Sequence, residues 1–277
     1  MGTPEFAVPS LYALHKNELQ VSCVVTQPDR PKGRGKKLAL SPVKNTALSL
    51  GYRVIQPESM NDDEFLNTLS SCSPDFLIVI AYGHILPEKI LNIPKMGAIN
   101  IHASLLPKYR GPAPIHWAII NREKETDTSE TLHDRLADFG SELLINTIEG
   151  IVNNTITSVS QNHECATYAP LLKKSDGRID WTKSSEDIEA FIRGMTPWPG
   201  AFTFYKKNRI KIFKVHVLAA DCDETAGTVV KGFQNEIRVA TGNGTLSILE
   251  LQSASGKRLS IEEYLKGHSI PHASVFN

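Results

Sequence analysis

Residues 75–82, DFLIVIAY, contain a continuous apolar run of strand length, and residues 96–103, MGAINIHA, predict a second strand shortly after it. A continuous apolar run is typical of a strand that is buried on both faces of a parallel sheet. Residues 20–27, QVSCVVTQ, are rich in β-branched side chains and predict another strand. Longer amphipathic stretches separate these runs. Strands that alternate with helices predict βαβ units and a doubly wound, Rossmann-like sheet.

Two helices of this region have clear sequence signals. Ser41 is a good N-cap and is followed by Pro42, so a helix should begin there and end near Gly51. Between residues 129 and 151, apolar side chains recur at helical spacing. These side chains are Leu132, Leu136, Phe139, Leu143, Leu144 and Ile148.

The last hundred residues have a different pattern. Ser184 with Asp187 resembles a capping box at the start of a short helix, and PWPG at 197–200 breaks the chain. Five short alternating segments follow, separated by turn residues, at 201–205, 209–218, 227–231, 236–240 and 246–252. This spacing is typical of a small β-barrel or sandwich, and we expect an OB-like barrel. The predicted organisation is an α/β domain over 1–155, a linker over 156–173 and a β-barrel domain over 174–277.

Composition narrows the class of protein. The chain has 277 residues, of which 41% are hydrophobic and 22% charged, as in an ordinary soluble globular protein. No apolar run approaches the ~20 residues of a membrane helix, and the N-terminus lacks the basic stretch followed by an apolar one that is typical of a secretory signal, so we expect a cytoplasmic protein. The four cysteines have no metal-like spacing, and we expect no metal. Because the formal net charge is zero, a polyanionic partner must be bound by local charge.

Asn100 and His102 are the candidate catalytic pair. Strand side chains alternate, so both should project from one face at the end of a strand, where open α/β sheets bind ligands. An asparagine amide can donate to a developing oxyanion, and a histidine can exchange a proton near neutral pH. The alternative is structural: Asn100 satisfies the loop backbone, and His102 is a hydrogen-bonded core residue. The spacing alone leaves both interpretations open.

Residues 100–114, NIHASLLPKYRGPAP, resemble the signature of the 10-formyltetrahydrofolate-dependent formyltransferases. Further segments, over nearly the whole chain, resemble the methionyl-tRNA formyltransferases within that family rather than the purine or sugar formyltransferases. These segments are GTPEFAVPSL at 2–11, VVTQPDRPKGRGKKL at 24–38, SPVK at 41–44, AYGHILP at 81–87, TYAPLLKKSDGRIDW at 167–181 and MTPWPGA at 195–201.

The resemblance implies formyl transfer from 10-formyltetrahydrofolate to methionyl-initiator tRNA, by a monomer that needs no metal. Asn100 and His102 match two members of the family's Asn-His-Asp catalytic set. The matching folate-binding loop is Ser104, Leu105, Leu106 and Pro107. The residues that resemble the wall behind the pterin are Tyr82, Gly83, His84, Ile85 and Leu86.

Two basic segments are candidate tRNA contacts. Six cations lie between residues 30 and 44, among glycines that would let the loop follow a phosphate backbone closely, although a solvated loop has the same composition. The resemblance implies that this loop enters the acceptor stem, with Arg34 as the main contact and Lys32, Lys36 and Lys37 beside it. In the C-terminal part, Arg209 and Lys211 should share one strand face. They either bind the tRNA backbone or belong to an ordinary charged surface.

The chain departs from the family pattern at two places. The family's catalytic Asp lies in a GLDTG-like segment of strand and loop, for which this sequence has no counterpart near Thr126 and Asp127. The family also has an apolar strand before the residue that matches Gly2. We therefore expect that the sequence omits residues of the protein; Asp127 ranks low as a substitute acid because it adjoins a helix start. The alternatives are formyl transfer to a small amine (a ribonucleotide or an amino sugar) and a non-catalytic RNA- or folate-binding protein.

Overall fold

The computed structural model describes residues 1–32, 37–123, 126–218, 222–231 and 235–277. The helices are α1 Val8–Lys16, α2 Pro42–Ser49, α3 Asp63–Ser71, α4 Glu88–Leu91, α5 Pro114–Ile120, α6 Ser129–Val152, α7 Ser185–Met195 and α8 Ile261–Leu265. The strands are β1 Val24–Val25, β2 Arg30–Lys32, β3 Lys37–Ala39, β4 Val54–Ile55, β5 Leu77–Val79, β6 Ala98–Asn100, β7 Phe202–Tyr205, β8 Asn208–Leu218, β9 Ile237–Ala240, β10 Thr245–Ser253 and β11 Arg258–Ser260.

The chain forms two compact units. The first comprises residues 1–107 and 133–165, and the second comprises residues 108–132 and 166–277. Residues 108–132 thus group with the C-terminal unit, whereas the sequence places them before a boundary at 155. Among the described residues, no helix has the length and apolar character needed to cross a membrane.

Parallel strand pairs form the sheet of the first unit. Strand β1 pairs with β4, and β5 pairs with β6, both in parallel. The Gly2 amide donates to the Val25 carbonyl at 3.0 Å, and the Ile80 amide donates to the Met1 carbonyl at 2.9 Å. Met1 and Gly2 therefore join the two pairs through backbone hydrogen bonds. The parallel α/β arrangement predicted for this part of the chain is confirmed, although each strand is shorter than its apolar run.

Two predicted helix starts are confirmed in detail. The Ser41 hydroxyl accepts from the Lys44 amide at 3.1 Å, and the Ser184 hydroxyl accepts from the Asp187 amide at 3.1 Å. Each bond satisfies an amide that the first turn of a helix leaves without an internal partner. The side-chain chemistry of these serines thus determines where α2 and α7 begin.

The apolar stripe of α6 is only partly buried. Leu144 is fully buried, but Phe139 is 62% exposed and Leu143 is 49% exposed. A Cβ added to Gly140 would lie 2.8 Å from Ile101 Cγ2, so the helix approaches its neighbour through this small residue. Gly140 and Leu144 lie on the buried face of α6, whereas Phe139 and Leu143 lie beside that face and are exposed. The helix predicted from the spacing of these side chains is present as α6.

An antiparallel sheet forms the centre of the second unit. The strands lie in the order β11-β10-β8-β7, and β9 also pairs with β10. Its buried face packs against α7, whose Ile188 and Ile192 belong to the same core cluster as Ile212, Leu246 and Ile248. Four of the five predicted strands are present. The fifth segment, 227–231, makes isolated bridges through Thr228 and Val229.

Candidate functional site

Two neighbouring parallel strands end side by side in the first unit. Val79, the last residue of β5, is in register with Asn100, the last residue of β6. The Ile101 amide then donates to the Val79 carbonyl at 3.1 Å. The segments that follow the two strands, 80–86 and 101–107, therefore begin at the same edge of the sheet. This carboxyl edge is where open α/β sheets bind their ligands.

The predicted catalytic pair lies at this edge. Asn100 is exposed, and His102 is half-buried. His102 Nδ1 lies 2.8 Å from Ser104 Oγ, which is a normal hydrogen-bond distance. Either group can be the donor, since a hydroxyl and a neutral imidazole each donate and accept. Ser104, predicted to bind folate, thus contacts the predicted catalytic histidine.

Tyr82 occupies the core of the first unit. Its side chain is 2% exposed and packs with Val25, Phe65 and Leu77. The hydroxyl is buried without a hydrogen-bond partner among the described residues, and burial raises the pKa of Tyr82 to about 12. Its carbonyl accepts from Thr3 Oγ1 at 3.0 Å. Any part that Tyr82 has in a pterin wall therefore involves its backbone rather than its ring.

The other predicted folate-binding residues divide into packed and exposed ones. Leu86 packs against the same core as Tyr82, while Gly83 and His84 are exposed. Ile85 is 97% exposed and Leu105 is 90% exposed. Leu106 is also exposed, and Pro107 is half-buried after a cis peptide bond. Among the predicted folate-binding residues, Ile85 and Leu105 are the most exposed apolar side chains, and they lie on the two segments that begin at the carboxyl edge.

Asp127 has a local structural partner. Its carboxylate accepts from Thr131 Oγ1 at 2.8 Å, beside the start of α6. This contact agrees with its low rank as a substitute acid. Within the described ranges, no group of three or more His, Cys, Asp or Glu side chains is placed to hold a metal ion.

The basic segment of the first unit forms a hairpin. Strand β2 pairs antiparallel with β3, so that Lys32 is opposite Lys37 in the backbone register. The predicted contacts Arg34 and Lys36 lie outside the described residues. The structure describes Lys32 and Lys37 through their backbones only.

A polar cluster that the sequence did not reveal lies at the base of this hairpin. Lys44 Nζ donates to Asp29 Oδ2 at 2.6 Å and to Gln56 Oε1 at 2.5 Å, and its side chain is only 17% exposed. Gln56 Nε2 also donates to the Gln27 carbonyl at 2.8 Å. Hydrogen bonds from Lys44 and Gln56 hold the pKa of Asp29 below its ordinary value. Since these residues are distant in sequence, no local pattern could have indicated the cluster.

The second basic set follows the predicted alternation along β8. Arg209 and Lys211 are half-buried on one face, while Ile210 and Ile212 are buried on the other. The Arg209 guanidinium lies 3.8 Å from the ring centroid of Phe202, in cation–π geometry. Its Nε is buried and has no hydrogen-bond partner in the described part of the chain. Arg209 therefore has a packing role in the sheet, whatever it binds.

Comparisons with known proteins match nearly the whole chain to formyltransferases. Residues 1–164 match the family model described as formyl transferase, and residues 171–269 match the model of the formyl transferase C-terminal domain. Methionyl-tRNA formyltransferase of Caldanaerobacter subterraneus subsp. tengcongensis is 45% identical over 303 positions, which cover 99% of this chain and 98% of that protein. The chain belongs to the methionyl-tRNA formyltransferase family. A second member, from Acetivibrio thermocellus, is 43% identical over 99% of this chain and 97% of that protein.

The length of the alignment is informative about this family member. The 303 aligned positions exceed the 277 residues of the chain by 26, although nearly all of both proteins is covered. At least 26 positions within the alignment therefore hold no residue of this chain. Such a gap agrees in kind with the predicted lack of a strand-and-loop segment, while its location between Thr126 and Asp127 stays a prediction.

A solved structure shares the fold of this family member. The N-formyltransferase from Helicobacter canadensis, in complex with folinic acid and dTDP-3-aminofucose, has a TM-score of 0.59 and 18% sequence identity. The match covers 93% of this chain and 97% of that chain. At this identity, the likeness concerns the fold alone.

Proposed function

We propose that this methionyl-tRNA formyltransferase family member transfers the formyl group of 10-formyltetrahydrofolate to the α-amino group of methionyl-initiator tRNA, for translation initiation. The observation that carries the proposal is the arrangement at the carboxyl edge of β5 and β6. Asn100 and His102 supply polar groups there, and Ile85 and Leu105 supply exposed apolar ones. Apolar walls with a few placed polar groups are what a ligand site of this kind requires.

The chemistry assigned to these residues is acyl transfer. The Asn100 amide would donate to the formyl oxygen, which becomes negative as the neutral α-amine adds to the formyl carbon. His102 would accept the proton that the nitrogen of the new C–N bond releases. It would return a proton to the folate nitrogen as the old C–N bond breaks, so that proton and electron counts balance. The position of both side chains at the carboxyl edge, near exposed apolar side chains, supports these proposed roles.

The exposed apolar side chains indicate where the folate ring would bind. Burying a side chain of this size contributes about 1.5–3 kcal/mol in full, and Ile85 and Leu105 are almost entirely exposed. A flat heteroaromatic ring placed against them would remove apolar area from water on both segments. The loop Ser104–Pro107 would then border the same ligand.

We propose that the tRNA is held mainly by the basic hairpin, through Arg34 with Lys32, Lys36 and Lys37, and secondarily by Arg209 and Lys211. We also propose a finer description of the fold. The parallel pairs would be parts of a doubly wound sheet, the antiparallel sheet would be an OB-like barrel, and residues 156–173 would be a linker. A cytoplasmic monomer is the form that we propose.

The decisive test is formyl transfer from 10-formyltetrahydrofolate to charged initiator tRNA by the full chain and two matched variants. His102→Asn removes the proposed proton carrier, and we expect kcat/KM to fall by about 10²–10⁴-fold. His272→Asn makes the same chemical change at an exposed position and should retain activity. Equal activity of His102→Asn and the unchanged chain would contradict the proposed role of His102.

The alignment gap favours one second candidate, a non-catalytic protein that retains tRNA or folate binding. It predicts salt-dependent tRNA affinity without any turnover in the same assay. Intact mass should be measured on the same sample. A mass clearly above 30.6 kDa, together with turnover, would show that the protein has residues beyond this sequence. Absence of turnover in a protein whose mass is 30.6 kDa would support the binding protein.

A further inference from the structure

We infer that Gln27 is a positioning residue for both substrates, an assignment that rests on the proposed function. Its side-chain amide contacts the start of the segment proposed to lie behind the pterin, and it also contacts the start of the basic hairpin. Gln27 follows the parallel strand β1 by two residues. It therefore lies past the carboxyl end of a strand, as the segments 80–86 and 101–107 do.

The segment behind the proposed pterin site begins with a sharp backbone turn. Ala81 and Gly83 have positive φ angles of 45° and 93°, and alanine rarely adopts this left-handed conformation. Tyr82 lies between them, and its carbonyl accepts from Gln27 Nε2 at 3.2 Å and from Thr3 Oγ1 at 3.0 Å. A backbone of this kind persists only where the surrounding structure holds it. The two side-chain donors therefore fix the turn that precedes the exposed part of the segment.

The same glutamine contacts the basic hairpin. Gln27 Oε1 accepts from Nη2 of Arg30, the first residue of β2, at 3.2 Å. The backbone of Gln27 is itself held, because its amide donates to Thr3 Oγ1 at 3.4 Å and its carbonyl accepts from Gln56 Nε2 at 2.8 Å. The side chain thus extends from a fixed backbone, with its donor end toward the turn and its acceptor end toward the hairpin.

A side-chain amide is the group that satisfies both neighbours. The Arg30 guanidinium can only donate, and the Tyr82 carbonyl can only accept, so the group between them must carry an acceptor and a donor. A glutamate would keep the acceptor for Arg30 but would place a second acceptor opposite the carbonyl. An apolar side chain of the same length would lose both contacts. The two substrate segments are therefore held in place by one residue that neither segment contains.

Carbonyl NMR tests the turn contact without any ligand. Tyr82–Gly83 is the single Tyr-Gly pair in the sequence, so protein with ¹³C at the tyrosine carbonyls and ¹⁵N at glycine gives one correlated signal for this turn. In Gln27→Met and in Gln27→Glu, the Tyr82 carbonyl carbon should move upfield, because it loses a hydrogen-bond donor. Gln20→Met, a change at an exposed position of the first unit, should leave the signal in place. An unmoved signal in both Gln27 variants would overturn the inference.

Equilibrium binding separates the two contacts. Gln27→Met should weaken binding of 5-formyltetrahydrofolate and of initiator tRNA by about 2–10-fold each, which corresponds to one ordinary hydrogen bond at each segment. Thr3→Val removes a donor from the turn alone, so it should weaken folate binding and leave tRNA affinity unchanged. A general loss of structure would weaken both ligands in both variants and would contradict the positioning role, as would unchanged affinities in Gln27→Met. If the unchanged chain binds neither ligand while its carbonyl signal responds to Gln27→Met, the proposed function fails and the positioning of the turn stands.

Discussion

Replacing Tyr82 by phenylalanine removes one oxygen atom from the core of the first unit, and we expect the protein to become more stable. The Tyr82 side chain is 2% exposed, and its hydroxyl has no hydrogen-bond partner among the described residues. A polar group that is buried without a partner costs about 1–3 kcal/mol, because it has lost water and gained nothing in return. Since the ring remains, Tyr82→Phe leaves no cavity of side-chain size.

The expected gain follows from these terms. Removing the hydroxyl should raise the free energy of unfolding by about 1–2 kcal/mol, which is the lower part of the range of costs for a buried polar group without a partner. For a protein of this size, each kcal/mol corresponds to about 2–4 °C in Tm. Urea and thermal unfolding followed by circular dichroism would measure both quantities.

Tyr109 offers a matched control in the second unit. Its hydroxyl is also on a buried side chain, but it donates to Glu123 Oε1 at 2.8 Å and lies 3.4 Å from Asn121 Nδ2. Tyr109→Phe should therefore lower stability by about 0.5–1.5 kcal/mol, the net value of a hydrogen bond. If Tyr82→Phe raises the free energy of unfolding and Tyr109→Phe lowers it, the hydrogen-bond partner of the hydroxyl, rather than its burial, determines its effect on stability.

A loss of stability in Tyr82→Phe would contradict this expectation. It would mean that the hydroxyl has a partner in solution, such as a buried water. A loss of folate affinity in the same variant would show that the Tyr82 side chain itself contributes to the ligand site. An unchanged folate KM with raised stability would place the ring in the core, as the structure has it.

Three further predictions concern ionisation and charge. Burial raises the pKa of Tyr82 from 10.0 to about 12, so the unfolded chain loses this proton at a lower pH than the folded chain does. The free energy of unfolding should therefore fall between about pH 10 and 12. The fall should be less steep in Tyr82→Phe, which lacks the ionisable hydroxyl. Burial and the neighbouring Cys72 raise the pKa of Cys23 to about 11, so little of this thiol is in the reactive thiolate form at about pH 8. At that pH, iodoacetamide should label the exposed Cys165 much faster than Cys23, and peptide mass spectrometry would measure the two rates. Arg209→Met removes the guanidinium stacked on Phe202, which costs about 0.5–2 kcal/mol, but it also removes a buried Nε that has no hydrogen-bond partner among the described residues. The two effects have opposite signs, so urea unfolding should show a net change in the stability of the second unit of no more than about 1 kcal/mol.

The sequence predicted the elements whose signals are local. Ser41 and Ser184 mark helix starts through contacts within one turn, and the apolar character of the two segments locates β5 and β6 in the chain. Burial on both faces was wrong for β6, since Ala98 and Asn100 are exposed. The runs overestimate strand length, because a strand extends only as far as its neighbour offers hydrogen bonds. The hairpin of β2 and β3 was not predicted, since its residues are cationic and show no apolar alternation.

The candidate site was predictable in place but not in contacts. Asn100 and His102 could be placed at the carboxyl edge because parallel strands end together, and β6 does end at Asn100. The direction of the Tyr82 ring could not be predicted, since tyrosine is as common in walls as in cores. The contact of Ser104 with His102 depends on a turn whose geometry the sequence does not specify.

The cations near the hairpin are not equivalent, and salt dependence can tell them apart. With zero net charge, tRNA affinity must come from local cations, each of which releases about one counterion when it meets a phosphate. Lys44 is largely buried between Asp29 and Gln56, so it is already neutralised within the chain. Lys44→Met should therefore leave the slope of log affinity against log salt unchanged, whereas Arg34→Met should reduce it by about one. A slope reduced equally by both variants would show that Lys44 breaks its ion pair with Asp29 and contacts a tRNA phosphate instead. The cluster would then contribute to tRNA binding directly, rather than only stabilising the structure next to the hairpin.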